Sequence, residues 1–237
     1  VTLLIAWSIW STNTLGPLNV SITSERESRN TNPNCPSFLH GYVFGPAIEG
    51  EWNGIVLPYV NTLTFTVEST TDCHYLANIL ASSLNPNLFT AIMKIAFPGY
   101  YWFTGVQHNR RHHPAMEMAV TLPNLQQIAF RLHTAGITVS CYSEREMVAI
   151  EAHDPERAKA RKVMHLQDIV EKYELSAIFA CRNIRRVRIE YIDCEMTRHF
   201  TRVGNTGVVL RDIQAFIVNG FFGLGLNVLV ELVRVDG

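Results

Sequence analysis

Three histidines fall within six residues in the stretch HNRRHHP: His108, His112 and His113. Imidazoles are the commonest protein ligands of transition metals, and the step from His108 to His112 would set two rings on one face of a helix. Pro114 follows at once, however, and Arg110 and Arg111 stand between the rings, so a dication would meet fixed positive charge. Neither HExxH nor CxxC occurs, and Cys181, Cys194 and His199 are loosely spaced with no fourth ligand apparent. These residues read as a basic surface loop, and no metal or other cofactor is expected.

Nucleophilic chemistry finds equally little support. A cysteine nucleophile needs a histidine beside it in space. Cys73–His74, and Cys141 with His133, are the available pairings, but adjacent side chains point apart and cysteine is commonly a buried apolar residue. The glycines of GFFGLGLN (Gly220, Gly223, Gly225) follow a helical pattern instead of joining a strand to a helix, so they read as helix termination and not as a phosphate cradle. GxxxxGK[ST] and GxSxG are absent. No catalytic residue is assigned.

The charged positions of two apolar stretches are more informative. In RRVRIEYI, alternate side chains point to opposite faces of a strand: Val187, Ile189 and Tyr191 inward, Arg186, Arg188 and Glu190 outward. In QQIAFRLH, Gln127, Arg131 and His133 share that outward face, and Lys94 comes from the stretch before. If the strands are neighbours, these seven residues form a largely basic stripe, either a solvated sheet face or a surface for an acidic or phosphate-bearing partner. No aromatic residue falls on the face in this pattern, which argues against single-stranded nucleic acid.

The elements that must position this stripe repeat. An apolar-x-x-apolar-x-apolar spacing occurs at Val60, Leu63, Phe65; at Ile92, Ile95, Phe97; at Leu125, Ile128, Phe130; and at Ile184, Val187, Ile189. The middle positions lie 32, 33 and 59 residues apart, so the last interval holds an insertion, about 135–181. Between the strands run helical patterns. Leu76, Ile79, Leu80 and Leu84 form one, with Asp72 placed to cap it. DPERAKARKVMHLQDIVEKYE reads as one long helix with Asp154 as cap, Pro155 in the first turn and Val163, Leu166, Val170 and Tyr173 as its apolar stripe. Shorter helices are predicted at 144–151 and 175–180. A last helix carries Leu210, Ile213, Phe216 and Ile217 and stops near 220–225, before a final strand, NVLVELVRV. Ahead of these units, residues 1–55 read as a hairpin, strands at 1–9 and 18–24 joined at Gly16–Pro17, followed by a polar loop.

The predicted class is α/β, one domain over 1–237, with 56–237 built of strand–helix units. Two arrangements satisfy the alternation: a short irregular solenoid with mainly parallel strands on one side and helices on the other, or an open sheet covered on both faces. The polar alternate positions favour the solenoid, because a doubly covered parallel strand is apolar on both sides. The repeated spacing resembles that of a leucine-rich repeat. LPNLQQIAFRLHTAG, DPERAKARKV and RRVRIEYIDCEMT are similar to a group of fungal proteins of which some carry an F-box and a degenerate leucine-rich-like region, over roughly 56–235; no F-box helix trio is visible in this chain. The resemblance implies a protein-recognition surface and no catalysis.

Composition sets the remaining bounds. With 47% hydrophobic and 17% charged residues the 237-residue chain holds a sizeable core, and a net charge of −1 gives no global pull toward nucleic acid or an anionic membrane. No run of 18 apolar residues exists, so no membrane partner is expected. Five widely spaced cysteines fit reduced thiols and an intracellular setting, cytoplasmic or nuclear. The expected function is a recognition scaffold for a protein partner, with an acidic one favoured by the stripe. The alternative is a small enzyme with a Cys/His or carboxylate site between Ala135 and Cys181. One prediction follows from the histidine spacing: purified protein carries less than stoichiometric zinc, and chelation leaves its melting temperature unchanged. One equivalent per chain in a metal assay would overturn it.

Overall fold

Six strands of the chain lie side by side in the order in which they occur in the sequence, and every pairing among them is parallel. The computed structural model describes residues 19–25, 46–81, 87–103 and 112–236. The expected strand at 1–9, the Gly16–Pro17 turn, most of the polar loop, Cys35, Leu84 and His108 lie outside them. The elements in chain order are β1 (Asn19–Ile22), α1 (Pro46–Glu51), a π-helical turn (Trp52–Val56), α2 (Leu57–Val60), β2 (Thr64–Val67), α3 (Thr70–Ala81), α4 (Leu88–Ala91), β3 (Lys94–Phe97), α5 (Pro114–Thr121) and β4 (Gln127–His133). There follow β5 (Thr138–Ser140), α6 (Glu144–Glu151), α7 (Pro155–Ala158), β6 (Arg161–Val163), α8 (Leu166–Lys172), β7 (Arg186–Ile192), α9 (Glu195–Phe200), β8 (Thr201–Val203), α10 (Thr206–Gly223) and β9 (Leu229–Val235). The fold is α/β, with the main sheet ordered β1-β2-β3-β4-β7-β9 and a small mixed sheet ordered β5-β6-β8.

Sequential strand order has a geometric consequence. Parallel strands need a crossover at each step, and crossovers of one hand with no reversal of direction would lie on one face of the sheet. Burial agrees: along β2, β3 and β4 each inward residue is buried and each outward one partly exposed. All twelve positions of the repeated apolar spacing are buried, none more than 4% exposed, and they belong to one continuous core. The residue three before each strand centre (Val60, Ile92, Leu125, Ile184) closes the gap between the sheet and the segment that delivers the chain into it.

The ladder corrects the repeat in one respect. Phe65, and not Leu63, lies beside Ile95, which continues to Ile128, Val187 and Val230. The first unit is therefore two residues shorter than the spacing implied. A slip of two preserves which face each side chain takes, so the inward and outward sets are unaffected.

The long helix expected from 154 onward is the second correction. The chain leaves α7 at Lys159, runs as β6 between β5 and β8, and turns helical again at Leu166. Strand pairing outweighs local propensity there. The Arg161 guanidinium donates to Thr138 Oγ1 at 2.8 Å, to Thr138 O at 2.8 Å and to Ala135 O at 3.2 Å. Lys172 Nζ donates to Gly136 O at 2.7 Å. These bonds hold the start of the insertion against its later part, a tie that a single helix would forgo. Val163 thus leaves the apolar stripe, and Ile169, Val170 and Tyr173 form the buried side of α8.

Of the two expected caps, Asp154 is met, while that of α3 falls at Ser69 because Asp72 lies inside the first turn of the helix. Ser143 and Glu146 form a reciprocal capping box on α6, and Asp154 caps α7. On α3 the N-cap is Ser69. Its hydroxyl accepts from Asp72 N–H, and Asp72 accepts from Ser69 N–H and hydroxyl in return. The other Asp72 oxygen takes Ser24 N–H at 2.7 Å, which ties the end of β1 to this helix. Two substitutions test the packing. Phe130→Ala removes a fully buried ring and costs about 3–5 kcal/mol. Gly99→Ala places a methyl carbon 1.7 Å from the backbone oxygen of Glu68, so it forces the β3 turn to move and lowers the urea midpoint. An unchanged midpoint in either variant would contradict this packing.

Candidate functional site

The outward face of the main sheet collects the residues singled out in the sequence. Lys94 on β3 lies beside Gln127 on β4, Gln127 beside Arg186 on β7, and Arg131 beside Glu190. Lys94, Gln127, Arg131, Arg186, Arg188 and Glu190 line one open depression of about 610 Å³. Thr64 and Thr66 of β2, outward by the same alternation, and Glu231 of β9 extend it. The sheet's right-handed twist and in-register side chains form this floor; no loop is needed to build it.

The charges on the floor are partly paired. Arg131 donates from Nε (3.1 Å) and Nη2 (2.9 Å) to one oxygen of Glu190. Arg188 Nε lies 3.2 Å from the other oxygen. Glu190 thus grips two guanidinium groups and sets their orientation. Arg188 keeps 46% of its side chain exposed. Lys94 Nζ donates to Thr62 O at 3.2 Å. Arg186 is exposed. Four cations therefore share the floor with the carboxylates of Glu190 and Glu231.

His133 is on the same side of β4 but has a different role. Its Nδ1 accepts from Ala135 N–H at 3.0 Å, capping the turn Thr134–Ile137, and partial burial pulls its pKa down. Its ring lies 5.5 Å from that of Tyr101, whose ring is 4.9 Å from Trp102. The face is thus bordered by aromatic residues at its strand-end rim, contrary to the expectation from alternation. They come from a 3₁₀ turn, Tyr100–Trp102, just after β3, and strand periodicity carries no information about such a turn.

A buried polar cluster sits behind that rim. Tyr100 donates to Tyr173 O at 2.5 Å and stacks on His113 with ring centroids 3.9 Å apart. His113 Nδ1 accepts from Ala115 N–H, capping α5, which leaves Nε2 as the protonated nitrogen, buried and without a hydrogen-bond acceptor. Glu174, held at φ 50°, accepts from His113 N–H and contacts His112 Nδ1 at 2.7 Å. The HNRRHHP histidines that are described thus serve a helix cap and an ion pair. Among the described residues no group of three or more His, Cys, Asp or Glu is placed to hold a metal ion.

Two of the thiols are held protonated by burial. Burial pushes Cys73 up to about 12, with Asp72 adding to it, and Cys181 up to about 11. His74 is exposed while Cys73 is buried, as adjacent helical residues dictate. Hydrogen bonds from Thr197 lower Cys194, but it lies outside the insertion. Among the described residues no helix is long and apolar enough to cross a membrane.

Comparison with protein-family models, with curated proteins and with solved structures gives no match.

Buried His113 makes stability depend on pH. Burial lowers its pKa from 6.5 to about 4, against smaller upward pulls from nearby backbone oxygens. Between those values the unfolded chain binds the proton and the folded chain does not. Stability therefore falls as pH drops from about 6.5 through about 4, by on the order of 3 kcal/mol. His133 contributes in the same direction. His113→Gln cannot titrate, so its urea midpoint should fall less steeply over this window than the wild type's. Equal slopes would rule out His113 as the source.

Proposed function

We propose that this chain is a non-catalytic recognition scaffold of short, irregular leucine-rich-repeat-like form, binding an acidic protein partner through the outward strand face. The carrying observation is the face itself: one side of a parallel sheet is buried under helices, while the other presents Lys94, Arg131, Arg186 and Arg188 across three adjacent strands. Parallel sheets are ordinarily covered on both faces. A polar uncovered face in such a sheet, among the described residues, fits a surface that is covered on binding. The sequential strand order supports the solenoid form, and the fungal F-box-associated resemblance is consistent with it.

Arg186 is the principal contact cation, because Arg131 and, through its Nε, Arg188 both pair with Glu190; Arg188 stays 46% exposed and contributes beside it. Rim charges of this kind steer association and fix register. The pairing also separates binding from folding: Arg186 holds no strand or helix in place, so reversing its charge leaves the core intact. Arg186→Glu should change stability by less than about 0.5 kcal/mol, and Arg188→Glu, which trades a partly exposed ion pair with Glu190 for like charge, by about 1 kcal/mol. The same double variant should fail to retain acidic proteins that the wild type captures from a native cell extract. Raising salt should release them from the wild type. Retention equal to wild type by a folded double variant would refute the reading.

A further inference from the structure

We infer that the acidic segment bound by this face carries an aromatic side chain four to six residues from its acidic group, and that the Trp102–Tyr101–His133 shelf receives that ring. This deepens the proposed recognition role and rests on it.

Trp102 is 73% exposed, an unusual position for the largest apolar side chain, and it is not an isolated surface residue. Its ring continues a series through Tyr101 to His133, which is the last residue of β4 and points to the same side as Arg131. The 3₁₀ turn that carries Tyr101 and Trp102 is anchored by Tyr100, buried and hydrogen-bonded to Tyr173 O. The shelf therefore stands on a rigid base, and little side-chain freedom is lost when a ring is placed against it. Tryptophan and arginine together are the side chains that most often dominate binding energy at protein interfaces.

The register fixes the spacing. Arg188 lies beside Ala129 and Arg186 beside Gln127, four and six residues before His133 on β4. At about 3.3 Å per residue these steps are roughly 13 and 20 Å. An extended segment lying along the strands has the same rise, so its acidic group and its ring are separated by the same number of residues.

Charge decides between the polymers that could offer both groups. A single-stranded nucleic acid supplies a ring and an anion at every residue. Its phosphates would then run over Glu190 and Glu231 as well as over the cations. A peptide that is acidic at one end and aromatic at the other meets the cations and the shelf without that repulsion. The occupant is thus an extended stretch of another protein.

The test uses four fluorescein-labelled probes and fluorescence anisotropy at low salt. The first three are peptides: triglutamate, a three-residue Gly-Ser spacer and Phe, which sets the acidic groups four to six residues from the ring; the same with Ala in place of Phe; and triglutamate joined directly to Phe, which sets them one to three residues away. The fourth is a 12-nucleotide oligo(dT). The wild type should bind the first peptide about fivefold more tightly than the second or third, the contribution of one aromatic pair. Trp102→Ala should abolish both preferences and leave the Ala peptide's affinity unchanged. Tyr101→Ala should do the same. Circular dichroism confirms that each variant is folded.

A preference that survives in Trp102→Ala sinks the shelf. So does a wild type that binds all three peptides equally, and if Arg186→Glu weakens that equal binding, the face reading stands without the shelf. Tight oligo(dT) binding with no peptide binding, or no binding of any probe, overturns both.

Discussion

The rows of side chains that run across the parallel ladder are what the rest of the molecule depends on. Ile95, Ile128, Val187 and Val230 stand beside one another because their strands pair in register, and Phe97, Phe130 and Ile189 form the next row. Rows of branched and aromatic side chains at about 4.8 Å spacing make a continuous apolar surface that the helices cover. The same register aligns the polar residues on the other side. Floor and core are thus two faces of one set of hydrogen bonds, and neither could shift without the other.

That coupling explains how Glu190 acts. On an isolated strand its carboxylate would oppose nothing in particular. In register beside Arg131, and two residues from Arg188, it bridges cations of two strands. The bridge is half-shielded and holds the guanidinium planes in fixed directions, which reduces the freedom that binding would otherwise have to remove. It also lowers the net positive charge of the floor.

The sequence disclosed the parts of this arrangement that depend on parity. Period-two alternation set Lys94, Gln127, Arg131, Arg186, Arg188 and Glu190 on one side, and no shift of register by two residues could disturb that. It could not disclose pairing distances, so Leu63 was aligned where Phe65 belongs. The stretch after Asp154 has helical composition throughout, and the reason it breaks lies in Thr138 and Ala135, more than twenty residues earlier. The aromatic rim escaped because a three-residue 3₁₀ turn has no periodicity to detect. The polar cluster escaped because Glu174 reaches His113 across 61 residues and through a left-handed backbone conformation that sequence spacing does not encode.

Strand order equal to chain order has a kinetic and evolutionary side. Along one row, residues on neighbouring strands are separated by 30, 33, 59 and 43 positions from Phe65 to Val230, so each strand pairs with the next main-sheet strand in the chain. Separations of this size are still non-local, so each pairing must close a long loop before it is rewarded, which makes parallel sheets slow to form. Closing the long step between β4 and β7 costs only about 0.5 kcal/mol more in chain entropy than closing the 33-residue step before it. The inserted segment with its small sheet is therefore thermodynamically cheap to carry. Related chains would be free to lengthen, shorten or exchange it while the ladder, and the face it presents, stayed the same.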